Sequence, residues 1–578
     1  MTYKAVYKEW LENPYYDEKT KNELLAIKDD EKEIEDRFYK ELEFGTGGMR
    51  GTIGAGTNRM NRYTVRKAAQ GLANFIKKYE PDKQSVAIAY DSRNCSYEFA
   101  LEVALVMACN EIKAYLFDEL RPTPELSFAV RYLKCGAGVV ITASHNPKEY
   151  NGFKAYGSDG CQLPPKESDA VIDEVNALTD ISKISCMLES EAKERGLIEI
   201  IGEDIDNKYI EECKKLCINS ELSRKYGKET KIIYTPLHGS GNKPVRRLLN
   251  EIGFENVLVV KEQEKPDPNF STISYPNPEE KAAFKIAIEM AEKEGVDLII
   301  GTDPDADRVG VVVKNDRNEY VTLTGNQIGC LLLEYILSQR YEKKELPDNA
   351  FAVKTIVSSN LARTIAENYN VESIDVLTGF KFIGELIKLY HDTGKKCFMF
   401  GFEESYGFLI GTHARDKDAV SASMLIAELY AWYKSRGMNV YSGLLELFEK
   451  YGYVKEETDS IVLKGKEGQD KIAQAMETLR NMELNKVGNM DVRIFSDYER
   501  QVRKDLKTNE TTRIQLPKSN VLHYTLDSGF WFCVRPSGTE PKIKIYYGVS
   551  SYSLAEAQTE LKILKKNVKD VINPLLVV

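Results

Sequence analysis

The chain is 578 residues long, 42% hydrophobic and 29% charged, with 79 basic against 89 acidic residues for a formal net charge of −10. That length exceeds a single hydrophobic core and predicts roughly four domains. The acidic balance argues against a nucleic-acid or anionic-membrane surface, so a phosphate-bearing ligand would need a local basic pocket instead.

In chain order, the N-terminal stretch is charged throughout and has no apolar core, which does not read as a secretory signal. Residues 1–44 read as an N-terminal helical extension of two pieces, rich in Glu and Lys and broken around Asn13-Pro14. Beyond them, short β-rich runs alternate with longer helical patterns, which predicts α/β domains. Six runs share one grammar, at 85–93, 137–147, 231–241, 297–308, 351–359 and 397–407: an apolar strand ends in a loop of Gly, Pro, Ser, His or acidic residues. In open α/β sheets, ligands sit outside the carboxyl ends of strands, which is where these polar clusters fall. The runs predict three α/β domains over 45–205, 206–317 and 318–452. From 453 the order becomes strand, helix, several strands, helix, and predicts a smaller α+β domain reaching 578. The longest apolar stretches, around 136–143 and 296–300, fall well short of the ~20 residues that span a bilayer. The ten cysteines, with only Cys213 and Cys217 close in sequence, read as reduced thiols of a cytoplasmic protein.

Four clusters carry chemistry. In Thr142-Ala143-Ser144-His145-Asn146-Pro147 the strand is expected to end at Ile141, which displays Ser144 on a turn stiffened by Pro147. A serine needs a neighbour to take its proton or to stabilise its product, and His145 and Lys154 are close enough in sequence to share the loop. The plainer alternative is an Asn-Pro turn with a capping serine; a hydrolase serine is disfavoured because no G-x-S-x-G elbow surrounds it. In Asp303-Pro304-Asp305-Ala306-Asp307-Arg308, three carboxylates at alternate positions would repel one another unless a cation sat among them, and hard oxygen ligands select Mg²⁺ or Ca²⁺. An EF-hand does not fit, with Arg308 at position six and Lys314 at position twelve. A haloacid-type D-x-D-x-T does not fit either, since Asp307 stands in the place of its threonine.

Glu403-Glu404-Ser405-Tyr406-Gly407, followed by Lys417, offers the carboxylate and hydroxyl groups that a polyol needs. Arg535-Pro536-Ser537-Gly538-Thr539 offers a bidentate cation and a flexible backbone for phosphate. It lacks the G-K-[ST] of a nucleotide loop, so a phosphate monoester suits it better than ATP. Thr378-Gly379 and the Gly-rich stretch from Phe44 to Gly51, which contains Arg50, are weaker loop signals.

In this order and spacing, TASHNP, DPDADR, EES-x-G and RPSGTEP resemble the α-D-phosphohexomutase superfamily and its phosphoglucomutase branch, over nearly all of the chain after residue 44. The resemblance implies four domains around a central cleft, three mixed α/β and a smaller fourth that closes on substrate. It implies that Ser144 carries a phosphoryl group and that an oxygen of this group joins Asp303, Asp305 and Asp307 around Mg²⁺. Arg50, His145, Lys154 and Arg308 would line the reacting centre, with Lys154 or His145 handling a proton. Glu403 and Ser405 would contact sugar hydroxyls, Thr378 and Gly379 would form a specificity loop, and Lys417 would face the sugar phosphate. Arg535, Ser537, Gly538 and Thr539 would hold the phosphate that is not reacting. The implied activity is interconversion of glucose 1-phosphate and glucose 6-phosphate through glucose 1,6-bisphosphate, with small sugar phosphates as the partners. Phosphomannomutase, phosphopentomutase and a non-catalytic sugar-phosphate sensor are the alternatives. The carrier serine speaks against a sensor, which has no use for one.

Overall fold

The computed structural model describes residues 2–45, 47–463, 465–537 and 542–576. The N-terminal extension is three helices where the sequence suggested two pieces: Tyr3–Glu12, Glu18–Ala26 and Glu31–Phe38. The additional break falls before Asp30, whose carboxylate accepts from Glu33 N (3.1 Å) and so starts a new helix, as Asp17 does from Thr20 N (2.8 Å). The three helices bury Trp10, Tyr16, Leu24, Ile34 and Phe38 against Tyr63 and Ala55 of the following domain. Arg37 fastens them there, paired with Glu23 and Glu33 and donating to the carbonyl of Ala55 (3.1 Å).

The first sheet has six strands: β1 (Gly48–Thr52), β2 (Ser85–Tyr90), β3 (Lys113–Phe117), β4 (Ala137–Ile141), β5 (Tyr150–Gly157) and β6 (Ile198–Ile201), ordered β1-β5-β4-β2-β3-β6. The second contains β7 (Lys231–Thr235), β8 (Asn256–Val259), β9 (Leu298–Thr302), β10 (Val309–Lys314) and β11 (Tyr320–Thr322), ordered β11-β10-β9-β7-β8. The third contains β12 (Ala350–Thr355), β13 (Glu372–Val376), β14 (Cys397–Glu403) and β15 (Gly407–Ile410), ordered β13-β12-β14-β15. Each of the six runs picked out in the sequence is thus a strand followed by a polar loop.

One construction repeats in all three. A parallel strand, buried on both faces and therefore almost entirely apolar, turns back on itself as an antiparallel partner: β4 into β5, β9 into β10, β14 into β15. The Ser144, Asp303–Asp307 and Glu403–Ser405 clusters are the three hairpin loops so formed. The fourth sheet is antiparallel throughout: β16 (Tyr453–Val462), β17 (Lys486–Val487), β18 (Met490–Asp497), β19 (Val502–Asp505), β20 (Thr511–Arg513), β21 (Leu522–Leu526), β22 (Trp531–Pro536) and β23 (Lys542–Ser551). The helices Gly465–Asn481 and Leu554–Leu576 pack on it. The architecture is therefore three α/β domains and a smaller α+β domain, as expected.

An apolar cluster runs continuously from the first domain through the second into the third, from Leu126 and Tyr209 to Val245, Leu332 and Leu425. The C-terminal domain has a core of its own and meets the third through a patch of Ile356, Val357 and Leu377 against Val521, Trp531 and Tyr546, and through Tyr453, Val454 and Leu554, which pack against the shared cluster. All ten cysteines are free. Among the described residues no helix is long and apolar enough to cross a membrane.

Where β16 leaves the third domain, Glu456 accepts from Asn326 Nδ2 (2.8 Å), and burial pushes its carboxyl up to about 7 against the opposing pull of Ser359, Asn326 and Lys354. A folded-state value raised above the usual carboxylate range means that the native chain holds a proton the unfolded chain has lost. Stability therefore falls as pH rises through that window and the loss is complete above the raised value. Thermal unfolding of Glu456→Gln beside the wild type, from about pH 5 to about pH 8, should show the wild type losing ground as pH rises. A constant difference between the two proteins would contradict this.

Candidate active site

Ser144 lies three residues past the end of β4 with φ 51°, a left-handed conformation that a non-glycine residue holds only when its surroundings enforce it. The enforcement is visible. Thr142 Oγ1 accepts from Ser144 N (2.8 Å) and donates to Asp91 Oδ2 (2.7 Å). The fully buried Arg93 guanidinium donates to four carbonyls of the same loop, those of Ser144, Asn146, Pro147 and Tyr150. Asp91 stands beside it, with its Oδ2 3.2 Å from Arg93 Nε, and Phe270 of the second domain covers the guanidinium face at 5.0 Å. Arg93 and Asp91 were missed in the sequence, where their only signal is a charged pair directly after an all-apolar strand.

The Ser144 hydroxyl donates to Asp303 Oδ2 (2.7 Å) across the boundary between the first two domains and lies 3.1 Å from His145 Nδ1. Burial, then the Arg308 and Arg50 cations, hold His145 well below the usual histidine range, so its ring is neutral. Arg50, on β1 opposite Gly152 of β5, donates to Asn146 Oδ1 (2.9 Å) at the rim of the loop.

The aspartate hairpin sorts its carboxylate oxygens. Asp303 Oδ1 accepts from the backbone N of Asp307 (3.1 Å) and Arg308 (2.9 Å), which leaves Oδ2 for Ser144. Asp305 Oδ2 accepts from Lys154 Nζ (2.7 Å) and Thr123 Oγ1 (2.8 Å), while Asp307 Oδ2 has Lys154 Nζ at 3.1 Å and Lys417 Nζ at 3.2 Å. Asp305 Oδ1 and Asp307 Oδ1 are buried with no hydrogen-bond partner among the described residues. Ligand atoms of the three aspartates lie within 4.8 Å of one another. Burial, reinforced by Asp305 and Asp307, raises the Asp303 carboxyl well above its ordinary range. Burial would raise Asp307 too, but Lys154, Lys417 and Arg308 together hold it far below. Buried carboxylate oxygens gathered at one point, two of them without a hydrogen bond among the described residues, suit a hard divalent cation.

Lys154 comes from the first domain and Lys417 from the third. Burial disfavours the charge on both, yet the aspartates outweigh it and keep both as ammonium ions. Lys417 reaches the cluster by running across Gly407, where a Cβ would stand 2.3 Å from Lys417 Cδ and 2.9 Å from Glu403 Oε1. Only a glycine allows that crossing. The two glutamates of this hairpin diverge: Glu403 is buried beside Lys417, whereas Glu404 turns into its own domain to accept from Thr355 Oγ1 (2.8 Å) and Ser358 Oγ (3.3 Å). Ser405 is half-buried at the hairpin tip.

Arg308 is paired with Glu279, a residue the sequence reading did not single out, and its Nε lies 3.9 Å from Asp307 Oδ1. Thr378 and Gly379 link β13 to the helix Phe380–Thr393, and Gly379 has φ 114°. Arg535 lies on β22 in register with Lys544 of β23, whose charge is disfavoured by burial and supported by Glu279 and Glu404 across the domain boundary. Ser537 N donates to Lys542 O (2.7 Å) at the base of the loop. Gly538 and Thr539 lie outside the described residues. Ser144, His145, Lys154, Lys417, Arg308 and the three aspartates thus meet at one point, while Arg535 stands on the separate C-terminal sheet and Ser537 just past the end of β22.

Four family descriptions match the chain in order: phosphoglucomutase/phosphomannomutase alpha/beta/alpha domain I over residues 41–181, domain II over 207–317, domain III over 324–451, and the C-terminal domain over 474–561. A phosphoglucomutase of Staphylococcus haemolyticus is 38% identical over 516 residues, covering 89% of this chain and 92% of its own. One of Staphylococcus saprophyticus is 37% identical over 554 residues, covering 95% and 97%. Among solved structures, the phosphoglucomutase parafusin of Paramecium, in an open form, superposes with a TM-score of 0.67 over 93% of this chain and 95% of its own. At 18% identity, that likeness bears on the fold.

Replacing Arg93 by lysine keeps the charge but removes the planar fork that serves four carbonyls at once. Arg93→Lys should lower turnover at least tenfold while thermal unfolding stays cooperative, as steady-state kinetics and calorimetry would report. Wild-type turnover would show that the loop needs no such brace.

Proposed function

The chain belongs to the phosphoglucomutase/phosphomannomutase family and is an enzyme of phosphohexomutase type, transferring phosphoryl groups on sugar phosphates; we propose that it interconverts glucose 1-phosphate and glucose 6-phosphate through a phosphoserine at Ser144 and glucose 1,6-bisphosphate. The observation that carries this reading is the Ser144 hydroxyl held 2.7 Å from Asp303 Oδ2, beside two buried aspartate oxygens that have no hydrogen bond among the described residues. A module that only bound sugar phosphates would have no use for that serine. The glucose preference draws on the near-full-length likeness to two phosphoglucomutases and on the EES-x-G loop.

Mg²⁺ would be held by Ser144, Asp303, Asp305 and Asp307, and when bound it supplies positive charge to the phosphoryl group in flight. The chain's own residues do the rest. The substrate hydroxyl gives up its proton as its oxygen attacks phosphorus, the bond from phosphorus to Ser144 Oγ breaks, and the leaving Oγ takes up a proton, which returns the Ser144 hydroxyl to its place beside Asp303 and His145. Lys154, kept charged by Asp305 and Asp307, donates but cannot accept a proton, whereas the neutral His145 ring can accept one. Arg308 and Arg50 add charge stabilisation at the rim.

Glu403 and Ser405 take sugar hydroxyls, Thr378 and Gly379 border the sugar, and Lys417 faces its phosphate. Arg535, Ser537, Gly538 and Thr539 hold the phosphate that is not reacting. The bisphosphate must turn around between the two transfers, which requires a closure that can partly reopen. A C-terminal domain with a core of its own suits that requirement. Ten free cysteines support a reducing, cytoplasmic setting.

The family description covers phosphomannomutase as well, so the test sets glucose against mannose and ribose. Purified protein and Ser144→Ala are assayed on glucose 1-phosphate, mannose 1-phosphate and ribose 1-phosphate, each with its bisphosphate. The wild type should favour glucose 1-phosphate in kcat/KM by at least tenfold, and Ser144→Ala should be inactive on all three. A preference for mannose or ribose overturns the substrate, and an active Ser144→Ala overturns the mechanism.

A further inference from the structure

Asp305 is reached from the first domain by a second residue besides Lys154. Thr123 opens the helix Thr123–Tyr132, and its side chain is fully buried. Its backbone N donates to the Asp305 carbonyl (2.9 Å), and its Oγ1 donates to Asp305 Oδ2 (2.8 Å). The segment that carries it is anchored separately: Arg121 N donates to Tyr90 O (3.1 Å), and the Arg121 guanidinium grips Asp206 through Nε (2.7 Å) and Nη2 (2.9 Å).

The hydroxyl has a specific consequence. Lys154 Nζ is shared between Asp305 and Asp307, so by itself it does not fix which way the Asp305 carboxylate turns. With Thr123 also bound to Oδ2, that oxygen carries two donors, and Oδ1 is left as the buried oxygen with no hydrogen bond among the described residues. The first turn of the helix adds the positive end of its backbone dipoles at the same carboxylate.

We infer that Thr123 is a positioning residue for the cation site: its hydroxyl fixes the Asp305 carboxylate so that Oδ1 faces the ion, and it ties the metal hairpin of the second domain to the first. This rests on the cation reading given under the proposed function. Partners that orient a metal ligand typically contribute 10–100-fold in metal affinity.

The test is Mn²⁺ binding by the full-length protein, measured by electron paramagnetic resonance and calorimetry, for the wild type, Thr123→Val, Thr123→Ser, Thr123→Ala, Asp305→Asn and the double variant Thr123→Val/Asp305→Asn. Thr123→Val should weaken Mn²⁺ binding by roughly tenfold or more. Thr123→Ala, which removes the hydroxyl without adding a methyl group in its place, should do the same. Thr123→Ser should keep the wild-type affinity, and in the Asp305→Asn background Thr123→Val should add nothing. Wild-type affinity in both hydroxyl-free variants, with binding lost in Asp305→Asn, would overturn the role of Thr123 and leave the cation site standing. A Thr123→Ser variant as weak as Thr123→Val would make the effect one of packing and overturn it too. A wild type that binds no Mn²⁺, or an Asp305→Asn variant that binds it unchanged, would overturn the cation reading and this inference together.

Discussion

Three fully buried carboxylates at the tip of one hairpin are the constraint around which the other domains are arranged. Taking even one such charge out of water costs several kcal/mol unless it is paired and hydrogen-bonded. The second domain supplies only part of the compensation, through its own backbone N–H groups and Arg308. The remainder arrives from outside: Ser144, Thr123 and Lys154 from the first domain, Lys417 from the third. The aspartate hairpin is therefore the place where three domains must agree on a common geometry, and the continuous apolar cluster joining them keeps that agreement rigid.

The hairpin also explains how one fold distributes different chemistry. In each α/β domain a parallel strand turns into an antiparallel partner strand, and the loop between them carries the polar cluster. The first carries the Ser144 hydroxyl in a left-handed turn, the second the carboxylates, the third a glutamate and the glycine that lets Lys417 pass. The sheet of the C-terminal domain is antiparallel, and the domain has a core of its own. Three domains thus share one apolar cluster, whereas the fourth keeps a core of its own.

The strands were legible in the sequence because a strand buried on both faces must be apolar along its length and must end where polar groups find partners. Ser144 and the aspartates were legible because each motif is local, and alternate carboxylates after a buried strand have few other uses. What stayed hidden depends on pairs far apart in the chain. Arg93 serves the Ser144 loop from 51 residues away, and Thr123 meets Asp305 across 182. Nothing local to Arg308 announces Glu279, and nothing in Glu403-Glu404 says which of the two turns toward Lys417; the pleat of the hairpin decides. The break before Asp30 was missed for another reason, since a single capping aspartate in a run of charged residues leaves no mark on hydrophobic periodicity.

The most direct test of this arrangement is anomalous diffraction from crystals of the full-length protein grown with Mn²⁺. One strong peak enclosed by Ser144, Asp303 Oδ2, Asp305 Oδ1 and Asp307 Oδ1 is the expected result. The absence of a peak there, with Mn²⁺ found elsewhere on the molecule, would contradict the account.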